Sequence, residues 1–218
     1  MKNIIITTIS FFISYLSYSQ NFINEIKNFE KQDSLSMPAS GQILLVGSST
    51  FRFWVTSKED LSNYATINRG FGGSQMSDVN YYFDRIVSKY QPKMILVYEG
   101  DNDLAAGESP ETIFEDFKIF ADKIKLQLPN AKVGYCSIRP SIARTNMREK
   151  QAQTNQLIKD FCKKNNGFYF IDMYKEYFLP NGDLMSDVFV ADKLHLNKQG
   201  YEIWTKATRK FLKKRFKS

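Results

Sequence analysis

The chain has 218 residues, enough for one sizeable domain but short for two, and its 43% hydrophobic and 24% charged content is typical of a globular protein. Its formal charge of +7 is concentrated near the C-terminus, where no acidic residue follows Glu202. The cations of this tail are Lys206, Arg209, Lys210, Lys213, Lys214, Arg215 and Lys217. Because a helix dipole favours cations at its C-terminal end, the pattern predicts a terminal helix and excludes a broad nucleic-acid-binding face. Contact with an anionic polymer or lipid surface is the alternative for this tail.

Residues 1–19 resemble a secretory signal peptide. One early lysine precedes an apolar stretch over residues 4–16, which is shorter than the roughly 18 residues of a membrane span. A small-x-small pattern at 17–19 follows, and no cysteine for a lipid anchor is nearby. We therefore predict a secreted or periplasmic protein without a stable membrane span, whose mature chain begins near Gln20.

Residues 20–40 are predicted to form an N-terminal helix and a linker, because Phe22, Ile26 and Phe29 fall on one helical face. Residues 41–218 are predicted to form the main domain. Short apolar runs predict buried strands over 42–47, 65–68, 93–100, 131–138 and 168–172. Helical patterns cover 77–90, 109–128, 146–167 and the segment from Asn197 onward, with Ser109 and Gly167 as expected cap residues.

This alternation of strands and helices indicates a three-layer α/β/α domain with about five parallel strands. Ligands of such sheets bind at the carboxyl ends of the strands. The two cysteines, Cys136 and Cys162, lie in apolar segments and are expected to be buried and unpaired, with a disulfide as the alternative. No Cys-x-x-Cys or His-x-x-x-His spacing indicates a metal site.

The loops that follow the first three strands carry candidate functional residues. "GSST" places Ser48 and Ser49 where the chain turns from strand into helix, although an N-capping serine explains the pattern equally well. "NRGFGGS" includes Gly73, and close glycines let a backbone N–H approach a ligand. "GDND" includes Asn102, whose amide can bind an anion; its two aspartates are alternatively cation ligands or simple turn residues.

"VADKLHLNKQGY" contains His195, the only histidine of the chain, three residues after Asp192. A histidine acts as a base when a carboxylate fixes its tautomer, and this spacing allows that hydrogen bond in a loop. Taken alone, His195 is better explained as a surface residue than as a base. Serine, glycine amide, asparagine amide and the Asp/His pair together would supply a nucleophile, an oxyanion hole and an oriented base.

At these residues the sequence resembles the SGNH, or GDSL-type, esterases and lipases. Four blocks carry the resemblance from about residue 41 to 205: "VGSST", "NRGFGGS", "GDND" and "ADKLHLNKQGY". The segments "EKQDS" and "FRFW" additionally resemble an exported bacterial branch. The resemblance implies a flavodoxin-like fold, a Ser49, His195 and Asp192 triad, and an oxyanion hole made by the amides of Ser49, Gly73 and Asn102.

The sequence departs from the family pattern at two positions. Ser48 stands where many members have aspartate, which changes local hydrogen bonding but not the triad. Glu99 stands where small or neutral residues are commoner. If Glu99 faces the site it disfavours anionic substrates; an exposed strand end is the alternative.

The resemblance implies hydrolysis of carboxylic esters through an acyl-enzyme, without a metal or organic cofactor. We expect short acyl groups, because the sequence has no obvious long apolar lid segment. The expected partner is a small-molecule or glycan ester. The alternatives are acyl transfer to a glycan, a lysophospholipase or lipase, a metal-dependent phosphoesterase, and a non-catalytic binding module with the same fold.

Overall fold

The computed structural model describes residues 22–216 and divides the chain into two compact units between Met37 and Pro38. The predicted signal peptide lies outside the described residues, as does Lys217. In the first unit, helix α1 spans Ile23–Leu35, as the sequence predicts. Across residues 22–216, no helix combines the length and apolar character that crossing a membrane requires.

The second unit contains one five-stranded parallel sheet, and all five predicted strands are confirmed; four have slightly shorter bounds, and the strand predicted over 65–68 extends to Gly70. The strands are β1 (Ile43–Gly47), β2 (Thr66–Gly70), β3 (Met94–Tyr98), β4 (Lys132–Cys136) and β5 (Phe168–Ile171). Their order is β2-β1-β3-β4-β5, with β1 and β3 paired in parallel. This is the flavodoxin-like order, in which the connections leave β1 in opposite directions and open a crevice beyond the β1 and β3 ends.

Helices cover both faces of this sheet, which confirms the three-layer α/β/α fold. The helices of the second unit are α2 (Ser49–Arg52), α3 (Ser57–Asp60), α4 (Met76–Tyr81), α5 (Phe83–Ile86), α6 (Asp101–Ala105), α7 (Pro110–Gln127), α8 (Arg148–Lys164) and α9 (Lys198–Arg215). One layer contains α2 and α9, and the other contains α4, α7 and α8. The predicted cap of α7 is present, since the Ser109 side chain accepts a hydrogen bond from the first turn, and the Asn197 side chain caps α9 in the same way.

The prediction of one helix over 77–90 is wrong. The segment forms α4, α5 and a 3₁₀ turn over Ser88–Tyr90. The break falls at Tyr82, whose backbone leaves the helical region (φ −92°, ψ 9°) while its ring packs edge-on against Phe71. The predicted 146–167 helix also differs: it begins as a 3₁₀ turn and ends at Lys164, so left-handed Gly167 (φ 86°) lies beyond the helix.

An aromatic cluster fixes α2 against the sheet and α9. The ring of Phe51 packs edge-on against Trp204 of α9 at 5.9 Å between centroids, and Trp204 packs in the same way on Tyr98 at the end of β3. The Tyr201 hydroxyl of α9 donates to the Thr50 carbonyl at 2.8 Å. These contacts connect the helix that follows β1 with the helix that begins just after His195. Cys136 and Cys162 are buried and unpaired, as predicted.

Candidate active site

Ser49 is the first residue of α2, immediately beyond the crevice end of β1. Its neighbour Ser48 is buried and donates its backbone N–H to the Tyr98 carbonyl, whereas Ser49 is partly exposed. The Ser49 hydroxyl lies 3.1 Å from Nε2 of His195. Of the two adjacent serines, Ser49 is therefore the one placed to react with a ligand.

Gly47 makes this position possible. It has φ 136°, and an added Cβ would lie 2.2 Å from the Tyr98 carbonyl oxygen of the neighbouring strand. A side chain there would force β1 away from β3 or redirect the turn into α2. The glycine before the serine pair is thus required by a close backbone approach.

Asp192 and His195 form the second part of the site. Oδ2 of Asp192 is 2.6 Å from Nδ1 of His195, while Oδ1 accepts the backbone N–H groups of Leu194 and His195. Burial would raise the pKa of Asp192, but the hydrogen bonds from the His195 ring and from these two amides lower it to about 2. The carboxylate is therefore ionised near neutral pH. It fixes the ring so that Nε2 points towards Ser49.

The base loop is held from two sides. The edge of the Phe53 ring packs against His195 at 5.0 Å between ring centroids. Arg139, a buried residue that follows β4, donates to the Leu194 carbonyl at 2.7 Å. The imidazole is therefore restrained by its neighbours as well as by Asp192.

Asn102 is the second residue of α6, beyond the end of β3. Its Nδ2 donates to the Ser74 carbonyl at 3.0 Å. Ser74 directly follows Gly73, which is exposed and has φ 84°, with no atom within 4 Å of an added Cβ. The structure thus joins the Asn102 side chain to the Gly73–Ser74 turn. It brings together the two loops from which the sequence predicts oxyanion donors.

The alternative that Glu99 is an exposed strand end is wrong. Glu99 is buried, and its Oε1 lies 2.5 Å from the Ser74 hydroxyl. Burial raises the pKa of Glu99 well above its ordinary value, and the nearby Asp103 raises it further. Burial also raises the pKa of Asp103 to about 7, although Asp103 accepts the backbone N–H groups of Met76 and Gly100. Glu99 and Asp103, two buried carboxyls with raised pKa values, are therefore hydrogen-bonded to the loops on either side of Asn102.

Asp101 and Asp103, the alternative cation ligands of the sequence, accept hydrogen bonds from protein groups. Asp101 is paired with Arg144 and accepts from Gln151 at 3.0 Å. No cluster of three or more His, Cys, Asp or Glu side chains within residues 22–216 is arranged to hold a metal ion. Both aspartates therefore act in the described chain as structural acceptors.

Sequence reasoning missed Arg139 and Arg144, which reach the two halves of the site from one loop after β4. The signal was available, because ligands of parallel sheets bind beyond the strand ends and this loop begins at such an end. No motif marks this loop, however.

The site contains a carboxylate hydrogen-bonded to an imidazole, which in turn lies within hydrogen-bond distance of a serine hydroxyl. On a parallel α/β sheet, this is the arrangement of a hydrolase with a serine nucleophile. Residues 46–203 match the model of the GDSL-like lipase/acylhydrolase family, and the chain therefore belongs to this family. By class it is an ester hydrolase. The matched range includes all five residues to which the resemblance assigns a role.

Solved structures share the fold over nearly their whole length. A Streptococcus pneumonia protein assigned as a platelet activating factor has a TM-score of 0.78 and 18% identity, and the match covers 94% of this chain and 98% of that one. A GDSL-like lipase from Bacteroides thetaiotaomicron has a TM-score of 0.71 and 19% identity, with coverages of 89% and 99%. The acetyl-xylooligosaccharide esterase Axe2 from Geobacillus Stearmophilus, in a mutant form, has a TM-score of 0.64 and 14% identity, with coverages of 83% and 97%. Among curated proteins, no sequence matches this chain significantly.

Proposed function

We propose that the protein is a serine esterase that cleaves short-chain carboxylic esters, with Ser49 as nucleophile, His195 as general base and Asp192 as its orienting acid. One observation carries the proposal: Asp192 Oδ2, the His195 ring and Ser49 Oγ form a continuous chain with separations of 2.6 and 3.1 Å. His195 is the only histidine of the sequence. No other imidazole of the chain is available as base.

In the proposed reaction, Ser49 Oγ attacks the ester carbonyl carbon and its proton passes to Nε2 of His195. The bond to the alcohol oxygen then breaks, and the alcohol leaves with that proton. Water attacks the acyl-serine, gives a proton to His195, and the proton returns to Ser49 as the carboxylic acid leaves. Asp192 remains ionised and stabilises the imidazolium in both halves of the cycle.

The backbone amides of Ser49 and Gly73 and the side-chain amide of Asn102 are the proposed oxyanion donors. One N–H of Asn102 is engaged by the Ser74 carbonyl, which leaves the second N–H of Nδ2 for the developing negative charge. Donors of this kind act in the transition state, where charge develops on the carbonyl oxygen.

The mechanism is tested with an organophosphonate that modifies nucleophilic serines. Mass spectrometry is expected to locate the adduct on Ser49 in the wild type and to find none in His195→Ala. An adduct on Ser48 would overturn the assignment of the nucleophile. Absence of both an adduct and ester turnover would favour the non-catalytic binding module.

Short acyl groups on carbohydrate or other polar alcohols are the proposed substrates. This choice is supported by the shared fold of an acetyl-xylooligosaccharide esterase that is 14% identical in sequence. A series of p-nitrophenyl esters from C2 to C12 tests the acyl length; faster turnover of C8–C12 than of C2–C4 would favour a lipase. Product analysis with a glycan acceptor distinguishes the transferase, which forms an acyl glycan where the hydrolase releases free acid.

We also propose export with cleavage near Gln20, which rests on residues 1–19 of the sequence. Expression of the full chain in a bacterial host, followed by N-terminal sequencing of the secreted or periplasmic protein, tests it. A retained Met1 on protein confined to the cytoplasm would contradict the proposal.

A further inference from the structure

We infer that Arg144 is a positioning residue that sets the orientation of the Asn102 side chain for catalysis. The inference rests on the proposed esterase function, since it concerns a donor of the proposed oxyanion hole. Arg144 lies outside the four sequence blocks and does not contact Ser49 or His195 among the described contacts. It lies in the loop that follows β4, 42 residues from Asn102.

The side-chain amide of Asn102 is hydrogen-bonded to one group that can only donate and to another that can only accept. Its Oδ1 accepts from the Arg144 guanidinium at 3.0 Å, and its Nδ2 donates to the Ser74 carbonyl at 3.0 Å. Rotating the amide by half a turn would place N–H groups against the guanidinium and the amide oxygen against a carbonyl. Because a guanidinium only donates and a carbonyl only accepts, a single orientation satisfies both contacts. In that orientation the second N–H of Nδ2 is free to donate to an oxyanion.

Arg144 is itself fixed by a second contact. Its other terminal nitrogen forms an ion pair with Asp101, and the two side chains are 16% and 7% exposed. The second oxygen of Asp101 accepts from Gln151 of α8 at 3.0 Å. A rigid guanidinium fork can hold Asp101 and Asn102 at the same time, whereas a lysine ammonium lacks this planar geometry.

The loop of Arg144 also contacts the base side of the site. The backbone N–H of Ala143 donates to the Lys193 carbonyl at 3.1 Å, within the Asp192–His195 segment. The backbone next to Arg144 is therefore bonded to the segment that contains His195, while the Arg144 side chain contacts Asn102. Arg144 can in this way hold the Asn102 amide at a fixed position relative to His195.

A double-mutant cycle on ester hydrolysis tests the inference. Arg144→Met is expected to lower kcat about 10- to 100-fold with little change in KM, which is less than the roughly 10²- to 10³-fold cost of losing one oxyanion donor outright. In the Asn102→Ala background, the same substitution is expected to change kcat less than about twofold, because Arg144 acts through Asn102. A loss of the same size in both backgrounds would show a general structural role and overturn the inference.

Two further variants separate geometry from charge and from folding. Arg144→Lys keeps the charge without the fork and is expected to remain close to Arg144→Met; full recovery of kcat would contradict positioning by the fork. Arg148→Met is the matched control, since Arg148 lies over the Phe178 ring. This substitution is expected to leave kcat unchanged. If Arg144→Met does not fold, Asp101→Asn/Arg144→Met removes the unpaired buried carboxylate, and the cycle is run in that background.

The outcome for this inference is distinguishable from the outcome for the proposed function. If the wild type neither hydrolyses esters nor forms a Ser49 adduct, the proposed function fails. If the wild type is active and Arg144→Met retains wild-type kcat, the inference about Arg144 fails while the esterase proposal stands.

Discussion

The two halves of the candidate site are built in opposite ways. On the base side, Asp192 and His195 are three positions apart in one turn, contact each other, and are 47% and 27% exposed at their side chains. On the oxyanion side, Asn102 is held by Ser74 and Arg144, which are 28 and 42 residues away in sequence. One half is encoded locally and lies near solvent; the other depends on buried contacts between distant loops.

This difference predicts how each half responds to substitution. Changes on the base side are expected to remove chemistry and leave the fold intact, because few buried contacts are lost. Changes on the oxyanion side are expected to affect turnover and stability together, since Glu99, Asp101 and Asp103 are buried beneath Asn102. Five substitutions test this contrast.

The largest effect is expected for His195→Ala. Without the only imidazole, kcat should fall about 10⁴- to 10⁶-fold, while the melting temperature changes little. Asp192→Asn should cost about 10⁴-fold, because the ring loses its tautomer control but remains present. Hydrolysis of p-nitrophenyl acetate and thermal melting measure both quantities. Residual turnover within tenfold of the wild type in His195→Ala would contradict the role of base.

Asn102→Ala is expected to lower kcat about 10²- to 10³-fold, the usual cost of one oxyanion donor. It should also lower the melting temperature, because the Ser74 carbonyl and the Arg144 guanidinium lose a partner. Asn181→Ala, in an exposed turn, is the control for the substitution itself. Unchanged kcat in Asn102→Ala, measured on the same ester, would remove this residue from the proposed oxyanion hole.

Glu99→Gln is expected to alter the pH dependence of stability. The Phe71 carbonyl and Oε1 of Glu99 both lie next to the Ser74 hydroxyl, which has one proton. When Ser74 donates to Phe71, Glu99 must donate as a neutral acid, in agreement with its raised pKa. Glutamine preserves that donor at every pH.

A raised carboxyl pKa means that the folded state binds a proton more tightly than the unfolded chain. The contribution of Glu99 is fully present below its ordinary pKa and is lost progressively as pH rises towards the folded value. Glu99→Gln should therefore be more stable than the wild type by about 1–3 kcal/mol near pH 8, with a smaller difference at pH 4. Urea unfolding at both pH values measures this, with the exposed Glu115→Gln as control. A difference independent of pH would show that Glu99 is ionised in the folded protein.

The same contrast explains how much the sequence could predict. The five strands, the cap at Ser109 and the Asp192–His195 turn depend on patterns within a few residues, and the structure has them near these positions. Gly47 and Ser49 can be predicted because both lie at the end of the same strand, β1. The fold class follows from strand and helix alternation alone.

The remaining features depend on which distant loops meet, which no local pattern specifies. Arg144 reaches Asn102 only because β4 lies next to β3 in the sheet. Glu99 is a charged residue directly after β3, a type that is usually exposed, but it is buried and hydrogen-bonded to Ser74, 25 residues away. The predicted helix over 77–90 is interrupted at Tyr82, whose ring contacts Phe71 of a different loop. The roles of Ser49, Gly73, Asn102, Asp192 and His195 remain predictions for the experiments above.

The smallest effect is expected for Lys193→Gly, which tests whether the base half is as local as its contacts suggest. Lys193 is exposed and has φ 58°, a region that costs an L-residue about 1–2 kcal/mol. Glycine relieves this strain but adds about 0.4–1 kcal/mol of entropy to the unfolded chain, so the net gain in stability should be at most about 1 kcal/mol. Gln91→Gly is the matched control, because Gln91 is also exposed and left-handed (φ 45°) but lies before β3, away from the site. Both variants should melt slightly higher with unchanged kcat; a tenfold loss of kcat in Lys193→Gly alone would show that rigidity at this residue, and not only the Asp192 hydrogen bonds, keeps His195 facing Ser49.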